Sequence, residues 1–432
     1  MPVATFIAAA LAVLHVSPAH AISAITAVGS KFFNADGSQF YIKGVAYQLT
    51  EDDPLSDTSQ CELDAAQMAD LGANTIRVYH VDPTNDHSGC MTAFANNSIY
   101  LFVDLDTFDT AIDQNKPSWT KSKLSAFEAV LDEFQQYNNT AGVFVGNEVL
   151  TFANGSSAAP YVKAAARDVK AYRDSKNYRK IPVGYSAEPA DIADLRPMLQ
   201  NYLACGDNSS EALDFFSLNA YEWCGSSSSY TVSGYSELEK NATGYDIPIF
   251  FSETGCNTAR PRTFEDQASI FGSNMDGTWS GAIIYEWIEE ANDYGLISYG
   301  SKTSASGALD GYPRSGTPTP ISPDYSNLKS QWATLTPTGV QLSDYTASTS
   351  TLTPPECPSS TSGGWSVDPS SSLPTLGQTF IAETTATTTS GGSATASATA
   401  SASKKGGASG RKEVAGMGIG LVAVMLTFVV WL

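Results

Sequence analysis

Two glutamates, Glu148 and Glu253, each stand at the end of an apolar run. The runs are GVFVGNE at residues 142–148 and IPIFFSE at residues 247–253. Two carboxyl groups can cleave an acetal, because one protonates the leaving oxygen while the other attacks the anomeric carbon or activates water. A retaining reaction needs them about 5–5.5 Å apart. A lone glutamate at a strand end is more often structural, but the pair predicts acid–base chemistry at a sugar linkage.

Polar residues near the two glutamates suit the same chemistry. Asn147 precedes Glu148 and is placed to hydrogen-bond a sugar hydroxyl. Tyr221 or Arg77 would orient Glu253 and keep it ionised, whereas a less polar setting would raise the pKa of Glu148. Further polar residues end other apolar runs: Tyr79, Asp104, Asp106, Asn219, Tyr285 and Glu286.

The same run ends lack other kinds of catalytic residue. No Ser-His or metal-ligand set occurs among them, and the chain has only 4 histidines. We therefore expect no metal and no cofactor. The tyrosines at these run ends, Tyr79, Tyr221 and Tyr285, have packing as their alternative role. Trp119, Trp223 and Trp287 are either sugar platforms or fillers between loops.

Eight apolar runs alternate with helical patterns between about residue 22 and residue 340. The runs are continuous and not alternating, as in parallel strands buried on both faces. Eight strand–helix repeats predict a (β/α)8 TIM barrel, with chemistry at the C-terminal ends of the strands and with the fourth and seventh strands facing each other. A doubly wound sheet is the alternative, but KGVAYQ at 43–48 offers no glycine-rich fingerprint. The predicted strands are 40–47, 74–81, 99–105, 142–148, 181–186, 214–221, 247–253 and 281–287; 121–137 and 161–175 exemplify the helices.

The composition excludes several classes of protein. The net charge is -21, with 45 acidic and 24 basic residues, which excludes binding to nucleic acid or an anionic membrane surface through a basic face. Aromatic residues make up 11% of the chain, enough for a folded core. Residues 341–432 carry five acidic and four basic residues, so nearly all of the net charge belongs to the predicted barrel.

The first 21 residues predict a secretory signal. An apolar run at 3–14 is followed by Pro18 and by the small-residue pattern Ala19-His20-Ala21, so we expect cleavage after Ala21. The catalytic domain is expected at 22–345.

The C-terminal part predicts a stalk and an anchor. Residues 346–405 are rich in Ser, Thr, Ala, Gly and Pro and predict a disordered, O-glycosylated stalk. Residues 406–432 combine small residues, a polar spacer and an apolar tail, which predicts a GPI-attachment signal, with Gly406, Gly407 and Ser409 as candidate attachment residues. A transmembrane anchor is the alternative. The chain is thus expected to be secreted and held on the outer face of the plasma membrane or in the cell wall.

Other motifs fit the same compartment. Five N-x-S/T sequons predict glycosylation at Asn96, Asn138, Asn154, Asn208 and Asn241. The 6 cysteines are an even number, as expected for disulfides in a secreted chain.

Ordered motifs between about residue 25 and residue 335 resemble the fungal GPI-anchored β-1,3-glucanosyltransferases of glycoside hydrolase family 72. They include NTIRVY (74–79), AGVFVGNEV (141–149), NAYEWCG (219–225), FFSETGC (250–256) and YGLI (294–297). The resemblance implies a retaining mechanism with Glu148 as acid/base and Glu253 as nucleophile. It also implies substrate-binding roles for Gln48, Tyr79, Asp104, Asn147, Tyr221 and Tyr285.

The cysteines allow several pairings. Topology favours Cys224–Cys256, Cys61–Cys90 and Cys205–Cys357, and the resemblance supports the same three pairs. After Cys256 only Cys357 remains, so the cysteine-rich carbohydrate-binding domain of some family members is expected to be absent.

Two residues depart from the family pattern. Thr254 follows the implied nucleophile where the family commonly has an aromatic residue, and His80 follows Tyr79 where a small residue is expected.

The resemblance implies a transglycosylase that cleaves β-1,3-glucan internally and transfers the new reducing end to a second glucan chain. Its partners are then a glucan donor and a glucan acceptor. An endo-β-1,3-glucanase that passes the same intermediate to water is one alternative. A catalytically silent glucan-binding wall protein is another, and the presence of both glutamates argues against it.

Overall fold

The computed structural model describes residues 22–188, 195–303, 310–348, 352–362 and 364–380. A small antiparallel sheet begins this part of the chain. Its strands β1 (Thr26–Val28), β2 (Lys31–Phe33) and β3 (Gln39–Phe40) pair in sequence order. These strands are too short and too isolated to be predicted from periodicity, and the sequence analysis did not predict them.

Eight parallel strands then close into a barrel, which confirms the predicted TIM fold. Each observed strand overlaps the predicted run. Their bounds are β4 (Ile42–Ala46), β5 (Thr75–Val78), β6 (Tyr100–Asp104), β7 (Thr140–Asn147), β8 (Val183–Ala187), β9 (Phe215–Asn219), β10 (Ile249–Thr254) and β11 (Trp279–Ile284).

The barrel closes where β11 pairs with β4, and Gly281 lies opposite Ile42. Gly281 has a φ of 118°, and an added Cβ would lie 2.2 Å from the Ile42 carbonyl oxygen. Only glycine allows this close approach of two backbones.

Helices surround the barrel. Their bounds are α1 (Thr58–Leu71), α2 (Ser88–Asn96), α3 (Lys121–Phe134), a 3-10 turn (Ala153–Ala158), α4 (Ala159–Ser175), α5 (Arg196–Ala204), α6 (Tyr235–Ala242), α7 (Asp266–Ile270), α8 (Asp324–Thr334) and α9 (Leu342–Ser348). A short antiparallel pair, β12 (Ile297–Ser298) and β13 (Thr319–Pro320), lies between β11 and α8. None of the helices in the described part of the chain is long and apolar enough to cross a membrane.

Aromatic rings fill the barrel interior. Phe102, Phe144, Phe215 and Phe250 point inward, and Phe215 lies 5.2–5.6 Å from the other three, centroid to centroid. Phe32 from β2 completes this layer from the bottom, 5.9 Å from Phe102. The small N-terminal sheet therefore plugs the barrel, and the polar residues of the opposite end rest on a closed apolar floor.

Three disulfides join loops of the fold: Cys61–Cys90, Cys205–Cys357 and Cys224–Cys256. They are the three pairs that topology favoured. The first joins α1 to α2, and the third joins the loops after β9 and β10.

Residues 352–362 and 364–380 still pack on the barrel, so the expected start of the stalk at residue 346 needs correction. Trp365 is fully buried and contacts Tyr202 of α5 edge to face, with centroids 5.4 Å apart. Trp119 exchanges backbone hydrogen bonds with residues 377 and 378. Cys357 and Trp365 explain the difference, because one disulfide and one large apolar side chain hold a segment whose average composition predicts disorder. We call residues 352–362 and 364–380 the C-terminal strap.

Other predicted segments are not covered by the structure. The signal at 1–21 and the anchor signal at 406–432 lie outside the described residues, as does the stalk after residue 380.

Candidate active site

Glu253 lies at the C-terminal end of β10 and accepts three hydrogen bonds through its side chain. Oε1 accepts from the Tyr79 hydroxyl at 2.9 Å and from Arg77 Nη1 at 3.3 Å, and Oε2 accepts from the Tyr221 hydroxyl at 2.7 Å. Burial raises the pKa of Glu253, while Arg77 and the two phenols act in the opposite direction. These three donors fix the carboxylate and favour its ionised form.

Arg77 is fully buried beneath this carboxylate. Its guanidinium lies between the rings of Tyr79 and Phe144, 4.4 Å from each centroid. Asp104 accepts from Nε at 3.1 Å and from Nη2 at 2.9 Å. Such a two-point contact sets the plane of the guanidinium and leaves Nη1 directed at Glu253.

The resemblance implied a substrate-binding role for Asp104, and the structure places this residue against Arg77. The residue is only 2% exposed, because both of its carboxylate oxygens are turned toward Arg77. Asp104 contributes to the site by positioning Arg77.

Glu148 directly follows β7 and has a different environment. Its φ is 48°, a left-handed conformation that is strained for a side chain of this size. Its backbone N–H donates to the Ser186 carbonyl at 2.9 Å, and its Oε1 accepts from Asn219 Nδ2 at 2.8 Å. Burial and the nearby charge of Glu253 raise the pKa of Glu148 to about 7. This carboxyl group is suited to carry a proton at neutral pH.

Asn147 connects the environments of the two glutamates. Its Oδ1 accepts from Arg77 Nη2 at 3.0 Å and from Asn219 Nδ2 at 3.2 Å. With the oxygen used in this way, Nδ2 is the end of the amide that can donate to a substrate hydroxyl.

Three tyrosines form a cluster at the barrel mouth. The ring centroids of Tyr285 and Tyr294 are 5.3 Å apart, and Tyr221 lies 5.7 Å from Tyr294 and 6.4 Å from Tyr285. The structure thus places the predicted Tyr285 beside the tyrosine that binds Glu253. Burial raises the pKa of Tyr285, so its hydroxyl remains a donor at neutral pH.

Gln48 holds two mouth loops together. Its Oε1 accepts from the backbone N–H of Tyr79 at 2.8 Å and of His80 at 3.1 Å. Its Nε2 donates to the Thr50 carbonyl at 2.6 Å. Gln48 therefore positions the loop that carries Tyr79, and its side-chain oxygen is already used for that purpose.

The structure also shows residues that the sequence analysis did not assign. Asn219 appeared only as a strand end, yet it bonds Glu148 and accepts from Ser186 and Ser252, each at 2.9 Å. Its position at the C-terminal end of β9, where other barrel strands also carry site residues, was the signal available in the sequence. Of the three tryptophans, Trp119 and Trp287 are fully buried and act as fillers between loops.

The two departures from the family pattern have distinct surroundings. Thr254 is buried beside the nucleophile candidate, and its hydroxyl lies 3.3 Å from Asp266 Oδ2. The ring of His80 packs on Phe108, with centroids 4.2 Å apart. The contact with Asp266 thus helps to fix Thr254 at the end of β10, whereas His80 packs on a residue of the loop that follows β6.

In the described residues no group of three or more His, Cys, Asp or Glu side chains is arranged to hold a metal ion. The site can therefore be described by its two carboxyl groups and their donors. One carboxyl accepts from three donors that favour its ionised form against the effect of burial, and the other has a single amide donor and a pKa raised to about 7. This combination can perform nucleophilic displacement with general acid–base assistance.

Several known proteins are similar to this chain in sequence and in fold. A family model described as glucanosyltransferase matches residues 14–334. The 1,3-beta-glucanosyltransferase gas2 of Schizosaccharomyces pombe is 43% identical over 359 residues, which cover 79% of this chain and 73% of that protein. The 1,3-beta-glucanosyltransferase GAS2 of Saccharomyces cerevisiae is 39% identical, with 79% of this chain and 61% of that protein covered.

A solved structure shows the same barrel with ligands. A mutant of Saccharomyces cerevisiae Gas2p in complex with laminaritetraose and laminaripentaose has a TM-score of 0.73 and 38% identity, covering 83% of this chain and 75% of that chain. The chain spans 53–61% of the length of several curated relatives, including those from Candida maltosa and Candida albicans.

Proposed function

This chain belongs to the glucanosyltransferase family, glycoside hydrolase family 72, and we propose that its barrel cleaves β-1,3-glucan internally and joins the new reducing end to another glucan chain. The family makes the chain an enzyme of the 1,3-β-glucanosyltransferase type. The observation that carries the residue assignment is the difference between the two carboxyl groups. Three donors hold Glu253, whereas one amide holds Glu148.

The first step uses Glu253 as the nucleophile. A carboxylate oxygen forms a bond to the anomeric carbon, and the glycosidic carbon–oxygen bond breaks. Glu148 gives its proton to the leaving oxygen, so the departing fragment leaves as a neutral alcohol. Asn147 Nδ2 is placed to donate to a hydroxyl of the sugar under attack, and this bond strengthens as positive charge develops on the ring.

The second step reverses these roles. Glu148, now ionised, takes a proton from a hydroxyl group of a second glucan chain. The oxygen of that hydroxyl forms a bond to the anomeric carbon, and the ester bond to Glu253 breaks. Two displacements at the same carbon retain its configuration.

Transfer requires a sugar hydroxyl to reach the intermediate before water does. A bound acceptor supplies that hydroxyl at a high effective concentration and displaces solvent. Solved relatives hold laminari-oligosaccharides, which are short β-1,3-glucans, and this supports a glucan donor and a glucan acceptor.

Product length tests the reaction. The protein is incubated with one reduced laminari-oligosaccharide, and the products are sized. We expect products longer than the input. Products that are only shorter would identify a hydrolase, and an unchanged input would identify a binding protein.

Activated donors test the two residue assignments. Laminaribiosyl fluoride has a leaving group that needs no proton, so Glu148→Gln should still release fluoride in a first turnover but lose roughly 10²–10⁴-fold in rate on glucan. Glu253→Gln should lose both reactions. If Glu253→Gln released fluoride at the wild-type rate, the nucleophile assignment would be wrong.

The cellular location is proposed on sequence and family. Members of the family are fungal cell-surface enzymes. We propose that this chain is secreted and carries a GPI lipid at Gly406, Gly407 or Ser409, with a stalk that begins after residue 380. The five sequon asparagines are all exposed, as glycosylation would require. Phosphatidylinositol-specific phospholipase C should release the protein from intact cells, whereas a transmembrane anchor would resist it.

A further inference from the structure

A fully buried histidine, His87, lies between two carboxylates that the proposed reaction does not use. Its Nε2 lies 2.9 Å from Asp53 Oδ2, and its Nδ1 lies 3.0 Å from Glu133 Oε1. Asp53 belongs to the loop after β4, His87 ends the loop after β5, and Glu133 belongs to α3. One imidazole ring therefore joins three separate elements of the fold.

The two contacts together require a proton on each ring nitrogen. A carboxylate only accepts hydrogen bonds, whereas a neutral imidazole has one N–H group and one nitrogen with a lone pair. In the neutral form, one of the two carboxylates would face that lone pair. The imidazolium ion donates to both carboxylates, and such charge-assisted hydrogen bonds are stronger than neutral ones. The geometry thus favours the protonated ring.

The ionisable groups around the ring favour the same form. Asp82 and Asp86, in the loop that ends at His87, interact with its charge. Tyr137, just after α3, donates its hydroxyl to Glu133 at 2.9 Å and stays uncharged, because burial and this hydrogen bond raise its pKa. Burial alone would lower the pKa of His87, but its hydrogen bonds to the two carboxylates and their charges raise it above the ordinary value of 6.5.

Asp53 also connects the loops after β4 and β5 through other hydrogen bonds. Its Oδ2 accepts from Asn85 Nδ2 at 2.8 Å and from the backbone N–H of Asp82 at 3.3 Å. Its Oδ1 accepts from the backbone N–H of Leu55 at 2.9 Å. A change in the bond between His87 and Asp53 would therefore disturb a carboxylate that both loops share.

The same two loops carry residues of the active site. Gln48, in the first loop, accepts from the backbone N–H groups of Tyr79 and His80 in the second. The Tyr79 hydroxyl in turn donates to Glu253, the proposed nucleophile. A weaker connection between the loops would therefore reach the donors that hold Glu253.

We propose that protonated His87 is a pH-sensitive clamp, which joins the loops after β4 and β5 to α3 and so positions Gln48 and Tyr79 for the reaction. The effect on the reaction rests on the proposed function, whereas the clamp itself does not. Because the folded protein holds this proton more firmly than the unfolded chain, the clamp stabilises the fold fully below about pH 6.5. That stabilisation is lost as pH rises through the pKa of His87 in the folded protein.

Histidine NMR tests the protonation. Two of the 4 histidines lie in the predicted signal, so His80→Gln leaves His87 as the single histidine of residues 22–432. We expect His87 to titrate above pH 6.5, and Glu133→Gln should lower its pKa by roughly one unit. Glu62→Gln, at an exposed position of α1, is the matched control and should leave the pKa unchanged. Titration of His87 below pH 6.5 would overturn the proposal.

Denaturant unfolding at a series of pH values tests the clamp. The wild-type midpoint should fall as pH rises above about 6.5. An amide in place of the Glu133 carboxylate can donate to the lone pair of a neutral ring, so the midpoint of Glu133→Gln should fall less over the same range. Glu62→Gln should behave as the wild type does. An equal fall in the wild type and Glu133→Gln would contradict the clamp.

The effect on the reaction is measured without the acid/base group. In Glu148→Gln, release of fluoride from laminaribiosyl fluoride no longer depends on a proton at residue 148. First-turnover release should fall by roughly two- to tenfold above the pKa of His87, and it should fall less when Glu133→Gln is added. Identical pH profiles with and without Glu133→Gln would refute the positioning role. If no variant released fluoride at any pH, the proposed function would fail, while NMR and unfolding would still decide on the clamp.

Discussion

Glu148 and Glu253 are the same residue type with different hydrogen-bond partners, and this difference divides their proposed roles. A carboxyl group that accepts from a guanidinium and two phenols is stabilised as an anion. One that accepts from a single amide and faces another carboxylate more readily keeps its proton. The residues that surround each glutamate therefore determine its chemistry.

The pKa of Glu148 leads to a prediction on pH dependence. Since its pKa is about 7 and the first step needs the protonated form, kcat/KM should fall as pH rises through about 7. The Asn219 hydrogen bond lowers the pKa of Glu148, so Asn219→Ala should move the alkaline limb to higher pH. The pH profile of glucan transfer measures both effects.

A remote amide is the control for that shift. Asn327 donates to the Arg262 carbonyl near α8, so Asn327→Ala should leave the alkaline limb in place. An alkaline limb that does not move in Asn219→Ala would show that another group controls it.

The buried pair of Arg77 and Asp104 gives a second prediction. Asp104→Asn should destabilise the fold by about 3–5 kcal/mol, because it leaves a buried guanidinium without its main partner. Transfer should also fall, since Nη1 is no longer aimed at Glu253. Denaturant unfolding measures the first effect. Asp70→Asn breaks the exposed pair with Lys329 and should cost no more than about 1 kcal/mol.

At the scale of elements, the C-terminal strap packs on the barrel, although the composition of this segment predicted disorder. Trp365 supplies the apolar contact, Cys357 supplies the covalent one, and Ser366 donates its backbone N–H to Ser156 at 3.0 Å. These contacts join the end of the folded chain to the 3-10 turn before α4 and to α5.

The strap gives a prediction on stability. Trp365→Ala should lower the free energy of unfolding by about 3–5 kcal/mol, because it removes a fully buried side chain and leaves a cavity. Proteases should then cut within residues 352–380. Phe380→Ala is the control, since that ring is 39% exposed and its loss should cost much less. Equal unfolding of the two variants would show that the strap does not stabilise the barrel.

The elements also show which parts of the fold can be predicted from sequence. The eight barrel strands were predictable because each is a continuous apolar run between helical patterns. The strands β1–β3 were not, since strands of two or three residues are too short to show a periodicity. Asn219 and Asp104 were recognised as strand-end residues, but their partners depend on side-chain directions that no spacing rule contains.

At the scale of the whole molecule, the net charge of -21 has no counterpart in a neutral substrate. Attraction between unlike charges therefore cannot speed the encounter with glucan. The negative surface keeps copies of the protein apart instead.

Salt dependence tests this view. Transfer on neutral laminarin should change by less than about twofold between low and physiological ionic strength, because no charge attraction is there to be screened. With anionic carboxymethylated laminarin, KM should fall as salt rises, because screening weakens repulsion. A strong loss of activity on neutral laminarin with added salt would contradict the prediction.

The spacing of the disulfides has a consequence for biosynthesis. Cys61–Cys90 and Cys224–Cys256 join residues 29 and 32 positions apart, whereas Cys205 and Cys357 are separated by 152. At about 5–20 residues per second, a ribosome makes Cys357 roughly 8–30 s after Cys205. In the secretory route proposed above, Cys205 stays a thiol, open to exchange with folding oxidases, until translation has passed the whole barrel. Closure of this last bridge marks a chain whose barrel and strap have both been made.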